Sequence, residues 1–208
     1  MKKSILFYLT IPVLLLTGCA SGYREIKPAS LTYQTKTEEN NTQIEYQTNL
    51  LDGKYAANER KVGLTLVAVK ITNNTGHDIS IRNNLKIYAG DKELSIATLN
   101  NFYELTRQDA SKSLWFLALA PVNVYGFNQT SSGSSITSQS SSFYPIGIIL
   151  GPALAFGNQA AANGANRRYK KELDNNDLSE KTILTGRTEY GLIAINGSPI
   201  QALTFKII

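Results

Sequence analysis

Few residues of this chain are of a type that does chemistry. Among 208 residues there is one histidine, His77, and one cysteine, Cys19. A Ser-His-Asp or Cys-His device would have to use His77, because its base is an imidazole. His77 lies in Asn74-Thr75-Gly76-His77-Asp78, whose Asn, Gly and Asp favour a tight turn, so a surface turn residue is expected. No Gly-x-Ser-x-Gly elbow is present. Zinc sites draw on several His or Cys ligands, which the chain lacks. Asp174, Asp177 and Glu180 in DNNDLSE offer oxygen ligands for calcium. They lack the alternating spacing and glycine of a calcium-binding loop, so a solvated loop or a helix N-cap at Asp177 is expected. Glu38 and Glu39 are adjacent, and adjacent residues of an extended chain point apart, unlike the facing carboxylates of a glycosidase. Gly147, Gly151 and Gly157 stand in apolar sequence and read as a packing surface, not a phosphate loop. The expectation is a non-enzymatic protein with no catalytic residue, no metal and no cofactor. A hydrolase of envelope polymers working with carboxylates alone is the enzymatic alternative.

The chain that positions these residues opens with an ordered leader. Lys2 and Lys3 precede an apolar run from Ile5 to Leu16, interrupted by Thr10 and Pro12. A membrane span needs about 20 apolar residues, so residues 1–18 read as a secretory signal. The run Leu16-Thr17-Gly18-Cys19 resembles the bacterial lipobox: an aliphatic residue, a small residue, Gly or Ala, then Cys. The resemblance implies cleavage before Cys19, thioether diacylation of Cys19 and N-acylation of the new terminus. Several acyl chains, at about 0.8 kcal/mol per buried CH₂, hold a soluble domain where one chain would not. With one cysteine, no disulfide forms within the chain. Ala20 and Ser21 follow Cys19 where an Asp would resemble an inner-membrane retention signal, which points to the outer membrane. The expected location is the bacterial cell envelope, with residues 19–28 as a polar tether.

The body reads as mainly β. Ser30–Lys36 and Gln43–Leu50 alternate, with Ile44, Tyr46, Thr48 and Leu50 on one face of the second, and Glu38–Asn41 turns between them. Tyr55–Arg60 fits a short helical turn or a polar loop. Val62–Thr72 is apolar on both faces, which predicts a central strand covered on both sides. Asn73–Gly76 and Gly90-Asp91 are turns between strand candidates at 78–81, 85–89 and 92–99. Arg187–Ile195 and Gln201–Ile208 close the domain. Short strands separated by Asn/Gly turns suggest a β-sandwich. VAVKITNNTGHDISI and the closing hairpin resemble immunoglobulin-like domains of uncharacterised lipoproteins of the Bacteroidota, over roughly 29–99 and 182–208. The expected architecture is an immunoglobulin-like antiparallel β-sandwich over 29–208, interrupted at 113–172 by an uncharged α-helical hairpin.

That insertion is the unusual part. From Ser113 through Asn166 there is no Asp, Glu, Lys or Arg. Two apolar arms, 113–127 and 143–157, flank a Ser/Thr/Gln/Gly tract that should be flexible and solvated. Arg167, Arg168, Lys170 and Lys171 follow. The arms fit helices packed on the domain or facing a partner, since buried helices can be apolar all round. They also fit a hairpin entering the bilayer. Trp115, Phe116, Tyr125, Phe143 and Tyr144 would then meet the membrane or a partner, and the basic cluster the headgroups. Gly147-x-x-x-Gly151 would let the arms approach closely. An arm of this length reaches roughly 22 Å, short of the roughly 30 Å hydrocarbon core, and Pro121 and Pro152 interrupt the helices, so spanning is the weakest case.

The formal charge of +5 and pI near 9.2 could suggest nucleic acid. An exported protein does not meet it, and loss of the leader removes two lysines. The Arg167–Lys171 cluster fits anionic lipid, an acidic partner, or a solvated helix face. The expected function is a lipid-anchored interaction or assembly module, its partners being membrane lipid through Cys19 and an envelope protein. The alternative is a membrane-inserting or pore-associated protein using the 113–162 hairpin.

Overall fold

The computed structural model describes residues 20–33, 35–121, 124–129, 139–144, 146–199 and 201–208. Its strands are β1 (Thr35–Glu39), β2 (Thr42–Gln47), β3 (Leu64–Asn73), β4 (Ile79–Ser80), β5 (Leu85–Ala89), β6 (Lys92–Leu94), β7 (Ile96–Ala97), β8 (Val124–Gln129), β9 (Gln139–Tyr144), β10 (Thr182–Ile183), β11 (Thr188–Asn196) and β12 (Leu203–Ile207). Its main helices are α1 (Gly53–Val62), α2 (Leu99–Thr106) and α3 (Ile146–Asn176). The described residues divide into two compact units, one of Ala20 with those of 109–163 and one of those of 21–108 and 164–208; α3 has residues in both.

The larger unit, 21–108 with 164–208, is built on an antiparallel sheet of order β1-β2-β3-β11-β7. β3 is its middle strand, as the doubly apolar sequence predicts. On one face Leu64, Leu66 and Ala68 of β3 join Leu192 and Ala194 of β11 beneath α1, α2 and the 164–176 part of α3, with Tyr55, Phe102, Tyr169 and Leu173 at the contact. On the other, Val67, Val69, Ile71, Ile193 and Ile195 pack against residues of the small sheets β12-β5-β6 and β10-β4, Phe205 and Ile87 among them. Each of these aliphatic side chains contributes about 1.5–3 kcal/mol when fully buried.

These layers overturn the immunoglobulin-like sandwich. The fold is mixed α/β: one face of the central sheet is covered by helices, and no sheet closes. The strand alternation is as expected, but a strand apolar on both faces needs two covering layers, and the helices supplying one are poorly marked. α1 (GKYAANERKV) buries only Tyr55, Ala56 and Glu59, so its apolar stripe is too thin to stand out. Two boundaries also shift. Residues 92–99 form two short strands in different sheets, with Ser95 at the crossover accepting from the Asn196 N–H at 2.9 Å. Residues 28–30 make a 3-10 turn before β1. The β1–β2 hairpin turns on Asn40 and Asn41, both at positive φ, as a two-residue primed turn requires.

The smaller unit corrects the helical hairpin. Its first arm is a 3-10 helix, Ala110–Leu119, capped by Asp109, whose side chain accepts from the Ser111 N–H at 3.0 Å. Pro121 follows, and the chain becomes a β-hairpin in which Tyr125 pairs with Phe143 and Val124 with Tyr144. Valine and aromatic residues favour strands over helices, and Gly126 disfavours a helix further. The second arm is helical and longer than expected, because α3 continues through the polar and basic residues to Asn176, with Pro152 inside it.

Candidate functional site

The larger unit grips the chain immediately after Ala20. Gln108 Nε2 donates to the Ser21 carbonyl at 2.7 Å, and its Oε1 accepts from the Ser21 N–H at 2.9 Å. Gln108 is itself held by Asn166 of α3, which accepts from the Gln108 N–H at 3.0 Å and donates to its carbonyl at 2.8 Å. Tyr55 donates to the same Asn166 oxygen at 3.0 Å. One α-helical turn further along α3, Tyr169 shares a 2.9 Å hydrogen bond with Thr106. Its ring sits 4.6, 4.9 and 5.7 Å from those of Tyr55, Tyr23 and Tyr103, so four aromatic rings pack where the N-terminal segment meets the helices.

Glu172 completes the grip. Its Oε1 accepts from the Tyr23 hydroxyl at 2.7 Å and from the Ile26 N–H at 2.6 Å. Burial holds its carboxyl above the ordinary range, although the two donors offset part of that effect. Burial, then the bond to Glu172, pushes the Tyr23 phenol well up. Ile26 and Pro28 are buried, so the segment expected to be a polar tether is packed from Ser21 onward. Beside it an open cleft of about 370 Å³ is lined by Tyr23, Glu25, Arg168, Lys171, Glu172, Asn175 and Asn176.

The basic cluster is thus placed on α3 of this unit. Arg167, Arg168 and Lys171 are exposed and make no ion pair among the described residues. Lys170 is engaged: its ammonium lies 3.1 Å from Asp174 and 5.3 Å from the centre of the Tyr103 ring. His77 is exposed, and its backbone carbonyl accepts from Asn73 and Thr75. Asp177 caps no helix; it follows α3 and accepts from the N–H and hydroxyl of Ser179. Glu180 pairs with Arg82 and Asp174 with Lys170, so the acidic residues of DNNDLSE are spread over separate contacts.

In the smaller unit the 146–156 part of α3 is inverted. Gly147, Gly151, Ala155 and Ala162 face inward, while Ile148 (62% exposed), Ile149 (71%), Leu150 and Phe156 (56%) face solvent. The inward face is small because it must be. A Cβ on Gly151 would sit 2.9 Å from the Phe116 carbonyl oxygen and 3.3 Å from the Ala120 nitrogen, so the backbone of the 3-10 helix lies directly on it. That helix shows the same division: Ser113 and Phe116, three residues apart, point inward, and Trp115 is 81% exposed with Leu114 and Leu117 beside it in sequence. Of the aromatic residues expected to meet a membrane or partner, Trp115 is outward and Phe116 is not. Tyr125, Phe143 and Tyr144 are placed by backbone pairing in the hairpin. Ala20, the first described residue, donates its N–H to Asn158 of α3.

Gln108, Asn166, Glu172 and Asn158 carry no motif, and the sequence reading missed them. The signal that did exist for the inverted face is the four-residue spacing of Gly147, Gly151 and Ala155 within uncharged sequence. In comparisons with known proteins, no family model, no curated protein and no solved structure matches the chain. The likeness to immunoglobulin-like lipoproteins of the Bacteroidota is therefore overturned by the fold and supported by no relative. The Leu16–Cys19 likeness gains no support from the comparisons either, and residues 1–19 lie outside the described part, so acylation of Cys19 rests on its local sequence alone.

Proposed function

We propose that this chain is a lipid-anchored envelope protein that works by binding rather than by catalysis, through the exposed apolar residues of its smaller unit, those of 146–156 on α3 and Trp115 on the 3-10 helix. The observation that carries the reading is that face: Ile148, Ile149, Leu150 and Phe156 turned to solvent on a helix that turns Gly147, Gly151 and Ala155 inward. Monomeric proteins rarely leave a continuous apolar surface uncovered, and such surfaces mark interaction sites. The anchor is read from Lys2-Lys3, the apolar run to Leu16 and Leu16-Thr17-Gly18-Cys19.

The test uses the fact that Cys19 is the chain's one cysteine. Acylation consumes its thiol, so Phe156→Cys supplies a single reactive group. Intact mass of the envelope form should show a chain starting at Cys19 with acyl chains attached. A membrane-impermeant maleimide should label Phe156→Cys slowly in the native envelope and fast in a soluble Cys19→Ser background. An unacylated N-terminus removes the anchor from the proposal; equal labelling rates remove the binding face.

A further inference from the structure

We infer that the occupant of the outward apolar face is the bilayer that carries the anchor, so that residues 146–156 and Trp115 lie at the boundary of its headgroups and acyl chains. The inference rests on the acylation of Cys19 proposed above and adds a second, non-covalent contact in the same leaflet. Three observations point to lipid.

The first is the inversion itself. In water, a helix buries its large apolar side chains; between helices in lipid, small residues let backbones approach and large ones face the hydrocarbon. Gly147, Gly151 and Ala155 inward with Ile148, Ile149, Leu150 and Phe156 outward is the second pattern. The Gly151 contact with the backbone at Phe116 and Ala120 shows the close approach that pattern allows.

The second is where the anchored end of the chain arrives. The N–H of Ala20 bonds to Asn158, on the same helix and in the same unit as the apolar face. Cys19 precedes Ala20 by one peptide bond, and consecutive Cα atoms are about 3.8 Å apart. Asn158 lies on the Gly147–Gly151 side of α3, so an acyl anchor attached there starts one helix diameter, roughly 10 Å, from the apolar face.

The third is length and charge. Ser113 through Asn166 contains no ionisable Asp, Glu, Lys or Arg. A surface without ionisable side chains carries no charge whose desolvation would oppose its entry among acyl chains. Among the described residues no helix is long and apolar enough to cross a membrane. The apolar part of α3, residues 146–157, rises roughly 18 Å against a hydrocarbon core of roughly 30 Å. A shallow position within one leaflet satisfies both limits, and an exposed tryptophan suits that depth. Since several acyl chains already hold the protein, the second contact acts on orientation: it fixes how the smaller unit lies on the bilayer.

Trp115 is the chain's one tryptophan, so its emission reports this contact without a label. The experiment reconstitutes the acylated full-length mature chain into phosphatidylethanolamine–phosphatidylglycerol vesicles containing lipids brominated at shallow or deep acyl positions. The expected result is a blue-shifted emission at least halved by the shallow quencher, little affected by the deep one, and shielded from iodide. Ile149→Asp with Phe156→Asp, both at exposed positions, should return the emission and iodide access to those of the soluble Cys19→Ser chain while the far-ultraviolet circular dichroism stays unchanged. Emission that ignores both brominated lipids and remains open to iodide overturns the inference. If the acyl mass is present in that sample, the anchor stands and only the lying face is lost. If Phe156→Cys is then still shielded in the native envelope, the face belongs to a protein partner, which also overturns it.

Discussion

Gln108 holds Ser21 by both of its backbone groups, donating to its carbonyl at 2.7 Å and accepting from its N–H at 2.9 Å. A side-chain amide thereby does for one residue what a neighbouring strand would do. The pairing makes the segment after Ala20 part of the fold of the larger unit.

Gln108→Ala should leave both Ser21 groups without their partner, at a cost of about 1–2 kcal/mol. Amide exchange at Ser21 through Ile26 should accelerate, while central-strand amides such as that of Val67 keep their protection. Unchanged exchange at Ser21 would show that the grip lies elsewhere.

Glu172 offers a sharper contrast. Both of its donors, Tyr23 and the Ile26 N–H, bond to one oxygen, so a carbonyl in that place suffices. Glu172→Gln should stay close to wild type in urea denaturation. Glu172→Ala should lose roughly 2–3 kcal/mol, because a buried N–H and a hydroxyl are left unmade. Equal losses in the two variants would contradict this account of the site.

The same carboxylate gives the protein a pH dependence of defined sign. Burial raises the folded-state pKa of Glu172 and of Glu59, whose Oε1 accepts from the Leu66 N–H at 2.7 Å. Each carboxyl therefore binds its proton more tightly folded than unfolded. Their contribution is fully present below the unfolded value of about 4.3 and is lost as pH rises through the raised folded values. Glu45 works the other way: the Lys70 hydrogen bond lowers its pKa, and its contribution is lost as pH falls. The difference between wild type and the Glu59→Gln, Glu172→Gln double variant isolates the first pair. The wild type should lose stability relative to that variant as pH rises from 4.5 toward neutrality; a constant difference across that range would refute it.

Gly191 marks the place where the chain leaving α3 crosses β11. A Cβ there would lie 2.7 Å from the Asn176 carbonyl oxygen and 2.8 Å from Leu178 Cβ, and the Leu178 N–H donates to the Leu192 carbonyl at 3.0 Å. Neither neighbour can give way without moving backbone. Gly191→Ala should cost about 3 kcal/mol by overpacking and lower the thermal midpoint of the cooperative transition. A variant as stable as wild type would mean that this crossing is slack.

What the sequence by itself determined is local. Alternation in 43–50 and 187–195 and the double apolar face of 62–72 mark β2, β11 and β3, because a strand's side chains alternate whatever it pairs with. Asn and Gly pairs mark turns, because few residues reach positive φ. The absence of charge from Ser113 to Asn166 singles out the segment that carries the outward apolar face, and the single His and Cys confine the available chemistry. Which way an apolar segment faces is not local. Ile149 and Phe156 look like core residues in sequence and are exposed, because Gly151 lets the backbone at Phe116 occupy the inward side. Helices such as α1 that cover one face of the central sheet have weak periodicity, and only β3 and β11, distant in sequence, supply the surface that makes them pay off. The anchoring of Ser21 depends on Gln108, and that of Tyr23 and Ile26 on Glu172, neither of which has any signature of its own. Tertiary structure decided these points because each is a contact between residues far apart along the chain, and hydrogen bonding and close packing act on distance in space rather than on order in sequence.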